Sequence, residues 1–267
     1  MLRLDAFSYR HAGATDAALR DLDLTVGDGE VVAVVGANEA GKSTLAMVIA
    51  GLAPRVIGGE RRGRLLIDDV DVAELPMHEL PARVGIVFDQ PATQLSGVAR
   101  TVFEEVAFGP ANLGVPLADL VPRTWAALEA LGIDPLAERD PGRLSGGQQQ
   151  LVAIASILAM RPAHIVLDEP TAQLDPAGTA LVGDALVRLA GHGTSIVLIE
   201  HKTDLVARIA TRVIVLNDGR VWLDGPSRDV LADPRLPELG VAAPSLVRLR
   251  LLAAEAGLPG GVLELPQ

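Results

Sequence analysis

The sequence predicts an α/β fold with a mostly parallel sheet, and three observations lead there. Short apolar runs rich in Val and Ile recur along the chain: Val31–Val35, His164–Leu167, Ser195–Ile199 and Arg212–Leu216. Helix-like stretches, Pro176–Ala190 and Thr203–Ala210, separate the last three, which is how parallel strands are connected. A glycine-rich loop, Gly36 to Thr44, joins the first run to a helix-forming segment, Leu45–Ala50. In sheets of this class ligands bind beyond the carboxyl ends of the strands.

In chain order, Leu2–Tyr9 partly alternates apolar with polar residues and reads as a strand. A break at His11–Asp16 precedes a second strand, Leu19–Val26, and Asp28-Gly29 turns the chain into Val31–Val35. The first two strands predict a small antiparallel sheet laid against the core. After the glycine loop and its helix, Gly58–Gly63 is a flexible polar connection, followed by strands at Arg64–Asp68 and Val84–Phe88. From Pro91 to Arg143 prolines and glycines punctuate short helical stretches such as Leu117–Leu131, and β-branched runs vanish, so this region reads as a mainly helical insertion. Asn217-Asp218-Gly219-Arg220 is a hairpin turn into Val221–Leu223. Beyond Pro226 short amphipathic helices are expected, broken by Pro234, Pro237 and Pro244.

Composition narrows the function classes. With 267 residues the core can be substantial, and 49% hydrophobic residues predict a packed globular protein. A net charge of −11 speaks against a nucleic-acid role, which calls for a basic surface. There is no cysteine, so disulfides and thiolate metal sites are excluded. Met1–Asp5 lacks the layout of a secretory signal, and the longest helix-like apolar run, Leu151–Met160, falls short of the about 20 residues that span a bilayer. A soluble, cytoplasmic protein is expected, with any membrane work done by partner chains.

Three constellations carry chemistry. Gly36-Ala37-Asn38-Glu39-Ala40-Gly41-Lys42-Ser43-Thr44 is G-x-x-x-x-G-K-[ST] between a strand and a helix, the setting a phosphate-binding loop requires. Its backbone N–H groups form an anion nest backed by the positive end of the helix. Lys42 would neutralise β- and γ-phosphate oxygens, and the Ser43 hydroxyl would ligate Mg²⁺. Second, the run His164–Leu167 ends in Asp168-Glu169, adjacent carboxylates that are too costly to bury unpaired without a reason. Asp168 would hold Mg²⁺ beside Ser43, and Glu169 would orient and deprotonate a water. Third, Leu144-Ser145-Gly146-Gly147-Gln148 places a Ser N-cap and bare glycine N–H groups at a helix start, a second phosphate-binding surface without a lysine.

Together, and in this order, these elements resemble the ATP-binding subunit of ABC transporters over nearly the whole chain. Gly36–Thr44 is similar to that family's Walker A loop, Leu144–Gln148 to its LSGGQ signature, and Ile165–Asp168 with Glu169 to Walker B. Ala172-Gln173-Leu174-Asp175 resembles the D-loop, with Asp175 at its end, and Glu200-His201 resembles the switch histidine that contacts the γ-phosphate. The resemblance implies that Tyr9 is the aromatic ring that stacks on adenine. It further implies a head-to-tail pair of ATPase subunits, each ATP held between one phosphate loop and the partner's signature. Membrane-spanning partners would couple through the groove beside the helical insertion.

A narrower resemblance is to the energy-coupling factor branch, which imports vitamins or transition-metal ions. It rests on Phe88–Leu95 and on Thr101-Val102-Phe103-Glu104-Glu105-Val106-Ala107-Phe108-Gly109-Pro110-Ala111-Asn112-Leu113-Gly114, with a tail from Leu239 through Leu258-Pro259 that suits the branch's C-terminal extension. The resemblance implies a transmembrane scaffold and a membrane substrate-binding protein as partners, and a peripheral place on the cytoplasmic face of the membrane. Two positions depart from the family. The Q-loop glutamine is replaced by Asp89 when Pro91 and Gln94-Leu95 are aligned, or is Gln90 if the loop is shifted; Asp89 would add a carboxylate to the Mg²⁺ site. Glu39 stands where most relatives carry glycine, and a positive φ there would cost about 1 kcal/mol.

The expected architecture is a RecA-like P-loop α/β core with an edge antiparallel sheet, an inserted helical subdomain and a C-terminal extension. Residues 1–225 form the ATPase domain, with the insertion at about 91–160, and residues 226–267 the extension. Two other readings remain beside the energy-coupling one. One is the ATPase subunit of a general ABC importer or exporter. The other is a soluble DNA-repair-type ATPase, disfavoured by the acidic balance and the missing coiled-coil heptads.

Overall fold

The computed structural model describes residues 1–191 and 193–256. The predicted α/β core is a six-stranded sheet in the order β10-β9-β3-β8-β7-β6. Its strands are β3 (Val31–Val35), β6 (Val84–Val87), β7 (His164–Asp168), β8 (Ser195–Ile199), β9 (Arg212–Asn217) and β10 (Arg220–Pro226). β3 lies parallel to β8 on one edge and to β9 on the other, β7 joins β8 to β6 in parallel, and β10 closes the sheet as an antiparallel hairpin on β9. Every residue of β3, β7 and β8 is buried, which is why these strands read as unbroken apolar runs in place of alternating ones.

The edge sheet has four strands in the order β2-β1-β4-β5, all antiparallel: β1 (Leu2–Arg10), β2 (Leu19–Val26), β4 (Glu60–Ile67) and β5 (Val70–Asp71). One face is wet, so β1 alternates: Leu2, Leu4, Phe7 and Tyr9 are buried and Arg3, Asp5, Ser8 and Arg10 are not. The buried face covers α1 (Lys42–Ile49) and joins Val32 and Val34 of the central strand in one apolar cluster.

The other side of the large sheet carries a second cluster, which extends into the helical insertion. Two of its helices are α2 (Val102–Asn112) and α3 (Leu117–Leu131), and they pack on α4 (Gly146–Ala159). Val102–Asn112 falls in the region that reads as mainly helical, although the sequence alone sets no bounds for a helix there. A capping box starts it: Thr101 accepts from the Glu104 N–H while Glu104 accepts from the Thr101 N–H. Prolines expected to punctuate the region sit inside helices instead, Pro110 near the end of α2 and Pro122 in the second turn of α3. Both lie beyond the first four positions, whose N–H groups have no helical partner, so each removes one backbone hydrogen bond from its helix.

The chain continues through α5 (Pro176–Ala190) and α6 (Thr203–Ile209) to α7 (Ser227–Val230) and α8 (Ser245–Glu255). The stretch after β10 packs back on the core: Leu231, Leu236, Leu239 and Val241 are buried within the main cluster. Thr203 donates to the Ala242 carbonyl, and both Ser245 donors reach the Asp204 carboxylate. Leu258-Pro259, part of the expected extension, lies outside the described residues. Among the described residues no helix is long and apolar enough to cross a membrane.

Candidate functional site

The site lies at the carboxyl ends of β3 and β7. β3 passes directly into the glycine loop, and two glycines make that turn sterically possible. A side chain on Gly36 would run into the Leu216 carbonyl, and one on Gly41, at φ 100°, would come within 2.7 Å of the Ala18 carbonyl. Glu39 does adopt the left-handed conformation, with φ 64°, and its side chain is exposed. The strain anticipated for a non-glycine residue there is therefore present, at about 1 kcal/mol.

Lys42 opens α1 and is 5% exposed. Its Nζ donates to the carbonyls of Gly36, at 3.1 Å, and Ala37, at 2.7 Å, so the ammonium folds back over its own loop. Burial lowers its pKa, opposed by the nearby negative charges of Glu169 and Asp168. Ser43 Oγ donates to Asp168 Oδ1 at 3.3 Å, bringing two of the predicted Mg²⁺ ligands together across 125 residues of sequence. Asp89 is half-buried and close enough for its charge to act on Asp168, whereas Gln90 is exposed and its carbonyl accepts from Thr93. Of the two alternatives for the loop after β6, Asp89 is thus the one facing the carboxylates. Gln173 Nε2 donates to Asp89 Oδ2 at 2.9 Å and holds it there.

Glu169 follows β7 with φ 51°, and its N–H is tied to the Ile199 carbonyl at 2.9 Å. His201, just beyond β8, places Nε2 2.9 Å from Glu169 Oε1. Strands β7 and β8 are neighbours, so the two residues meet because the sheet orders them so. Glu200 was not picked out from the sequence, yet it organises this corner. It is 2% exposed and its carboxylate accepts from Thr171 Oγ1 at 2.7 Å and from the N–H groups of His201 and Lys202. The signal for it was available: a carboxylate directly after a fully buried strand needs several donors.

The Ser145 stretch forms the expected cap. Ser145 accepts from the Gln148 N–H, Gln148 Oε1 accepts from the Ser145 N–H, and Ser145 and Gly146 are exposed. Gly147 is buried against Gly178, where an added Cβ would lie 2.8 Å from the Gly178 Cα. Asp175 caps α5 by accepting from the Gly178 N–H at 2.6 Å. The start of α4 and the Asp175 turn are therefore one packed unit.

Tyr9 requires a correction. Its ring is 1% exposed, on the inner face of β1, and its hydroxyl donates to the Gly58 carbonyl. A ring buried in this way has no face to offer a base. His11, two residues on and just past the strand end, is half-buried, stands edge-on to Tyr9 with centroids 4.9 Å apart, and meets Thr44 Oγ1 at 3.1 Å. The aromatic ring beside the glycine loop is therefore that of His11, backed by Tyr9.

Ser43, Asp168 and Asp89 offer only oxygen donors, the set that suits Mg²⁺. The electrostatics point the same way. Burial, and then the charges of Glu169 and Asp89, outweigh the Ser43 hydrogen bond and the Lys42 charge and raise the Asp168 pKa from 3.8 to about 6. This site carries more negative charge than its one lysine balances, and a bound cation would relieve it.

Comparison with known proteins places this geometry among relatives. The sequence matches the ABC transporter family over residues 19–172. It is 44% identical to the energy-coupling factor transporter ATP-binding protein EcfA1 of Symbiobacterium thermophilum over 94% of this chain and 86% of that one. Relatives from Methanosarcina acetivorans and Methanosarcina mazei, 39% and 38% identical, are longer, and this chain spans 41% and 43% of their lengths. Among solved structures, cbiO1 from Clostridium perfringens, part of the ABC transporter complex cbiONQ, superposes with a TM-score of 0.78 at 31% identity, over 99% of this chain and 98% of that one. A dimeric post-hydrolysis cassette, MJ0796 bound to ADP and Pi, superposes with a TM-score of 0.71 at 27% identity, over 85% and 99% of the two chains.

The shifted carboxyl makes stability depend on pH. Between about pH 4 and pH 6 the folded chain keeps a proton on Asp168 that the unfolded chain releases, so the folded state loses stability as pH rises through this window. Asp168→Asn is expected to stabilise the protein, free of nucleotide and metal, by about 2 kcal/mol at pH 7.5. Urea unfolding at a series of pH values checks this; the gap between variant and parent narrows towards pH 4, and a gap independent of pH would contradict the assignment.

Proposed function

The chain belongs to the ABC transporter family, and from that premise we propose that it is an ATP-hydrolysing subunit that energises uptake of a vitamin or transition-metal ion through an energy-coupling factor membrane complex. The observation that carries the ATPase reading is the meeting of Lys42, Ser43, Asp168, Glu169 and His201 at the mouth of one glycine loop. Support for the energy-coupling branch comes from the Thr101–Gly114 run and from the likeness to EcfA1 and cbiO1. A general ABC importer or exporter is the second reading, favoured only by the motifs that all such subunits share.

In this mechanism ATP enters the nest of N–H groups from Gly36 to Thr44 and draws Lys42 off the Gly36 and Ala37 carbonyls onto its β- and γ-phosphates. His11 lies against the adenine. Mg²⁺ would be held by Ser43, Asp168 and Asp89, where it would neutralise phosphate charge. Glu169 aligns the attacking water and takes its proton. The 2.9 Å link between Glu169 and His201 fixes the carboxylate, and His201 takes the family's role of contacting the γ-phosphate. The exposed Ser145–Gly146 helix start faces outward, where it serves the ATP of a second ATPase subunit, either another copy or a related chain. The pair sits peripherally on the cytoplasmic face of the membrane, on a transmembrane scaffold with a separate substrate-binding membrane protein. No nucleic acid takes part.

Three outcomes are expected. Glu169→Gln retains ATP binding while steady-state hydrolysis falls by about 10²-fold or more, as loss of a general base requires; turnover near that of the parent would remove Glu169 from the role. His11→Ala weakens nucleotide binding about tenfold, in the range of one lost base-stacking contact. Tyr9→Phe leaves affinity within about twofold, since only a buried hydrogen bond is lost; because Phe would still stack, the fluorescent-nucleotide titration of His11→Ala decides between the rings, and affinity unchanged in that variant would remove His11 from the role. The transport reading is tested by purifying the tagged Glu169→Gln chain with ATP from detergent-solubilised native membranes. A small polytopic scaffold together with a substrate-binding membrane protein is the expected company, a conventional permease pair would favour the second reading, and recovery without membrane proteins would overturn both.

A further inference from the structure

A second cluster of ligating groups lies at the opposite end of the sheet. His164 opens β7 and Asp168 closes it, so the two are separated by a strand length of about 13 Å. His164 is fully buried, and neither ring nitrogen has a hydrogen-bond partner. A buried imidazole left in this state pays its desolvation without compensation. One of its ring nitrogens, a carboxylate oxygen of Asp28 and a carboxylate oxygen of Asp68 all lie within 4.8 Å of one another. Asp28 comes from the turn before β3, and Asp68 from the turn between β4 and β5, so three separate parts of the fold converge here.

The two carboxylates already gather around a positive charge. The Met1 amine donates to Asp28 Oδ1 at 2.6 Å and to Asp68 Oδ1 at 2.7 Å, and Arg83 stands 3.6 Å from the other Asp68 oxygen. None of these contacts engages the His164 ring. As placed, the amine serves the two carboxylates and leaves both His164 nitrogens without a partner, whereas one metal ion would engage all three side chains.

We propose that Asp28, Asp68 and His164 form a binding site for a divalent first-row transition-metal ion such as Zn²⁺, separate from the nucleotide site. One imidazole nitrogen with two carboxylate oxygens is a donor set such ions accept, with a remaining position open to water. Around a tetrahedral ion with bonds of about 2.0 Å the donors sit about 3.3 Å apart, so the cluster has to contract. The movement falls to Asp28 and Asp68, which are exposed side chains on turns, while the buried His164 stays fixed. The ion would take the carboxylates from the Met1 amine and clamp the edge sheet, through Asp68, to the core sheet, through His164. Its role is structural and does not depend on the transport reading.

The test uses untagged protein stripped with chelator and free of nucleotide, with Co²⁺ as a spectroscopic probe and Zn²⁺ in thermal melts. One equivalent of Co²⁺ is expected to bind with visible ligand-field bands, and Zn²⁺ is expected to raise the Tm by several degrees. Both effects should be lost in His164→Val, whose side chain suits a buried strand, and weakened at least tenfold in Asp28→Asn, an exposed change that leaves folding intact. Both should persist in Asp168→Asn, which removes a carboxylate from the nucleotide site. Binding unchanged in His164→Val and Asp28→Asn, binding lost in Asp168→Asn, or no Co²⁺ bound at millimolar concentration would each overturn the proposal. If His164→Val fails to fold, the Asp28→Asn comparison decides alone.

Discussion

The central strand β3 is hydrogen-bonded on both edges, to β8 and β9, and at its carboxyl end it must turn at once into α1 beneath the Leu216 and Ala18 carbonyls. That confined turn is the constraint on which the rest depends. It leaves no room for side chains at Gly36 and Gly41, forces Glu39 into a left-handed conformation, and delivers Lys42 and Ser43 to the top of the sheet. Parallel order then decides what they meet. β8 lies beside β3 and β7 beside β8, so the residues that end β7 and follow β8 arrive in the same crevice.

The electrostatic consequence is a pocket with excess negative charge. Asp168, Glu169 and Asp89 crowd around one lysine, and Lys42 itself is desolvated. Such an arrangement is poor for stability and suited to a polyanion that arrives with its own cation. Buried carboxylates elsewhere are handled differently. Glu200 and Glu105 are each supplied with donors from the protein: Glu200 takes Thr171 and two backbone N–H groups, and Glu105 takes both the N–H and the hydroxyl of Ser96. The contrast separates carboxylates that hold the fold together from those left open for chemistry.

The segment after β6 links the core to the helical insertion through polar contacts. Gln94 accepts from the Phe88 N–H and donates to the Ile86 carbonyl, Gln150 of α4 donates to the Phe88 carbonyl, and Glu105 of α2 grips Ser96. Asp89 sits in the middle of this segment and is tied to Gln173 on the far side of the crevice. Asp89 thus follows Phe88, which is bonded to α4, on the segment that Ser96 ties to α2.

The α/β class, the glycine loop, the Asp168-Glu169 pair and the capped start of α4 are legible in the amino-acid order, because each is a contiguous run whose chemistry follows from local backbone geometry. The sequence also carried the family likeness, through motifs in fixed order. Tertiary structure decided what depends on depth and on neighbours. Tyr9 and His11 are two residues apart, so strand periodicity assigns them to the same side and cannot say which one reaches the loop. The sheet decides it: Tyr9 lies within β1, beneath Gly58, and His11 lies past its end, beside Thr44. The same holds for Asp89 over Gln90 and for Glu200. In each, the partner comes from a distant part of the chain, and only the packed strands bring the two together.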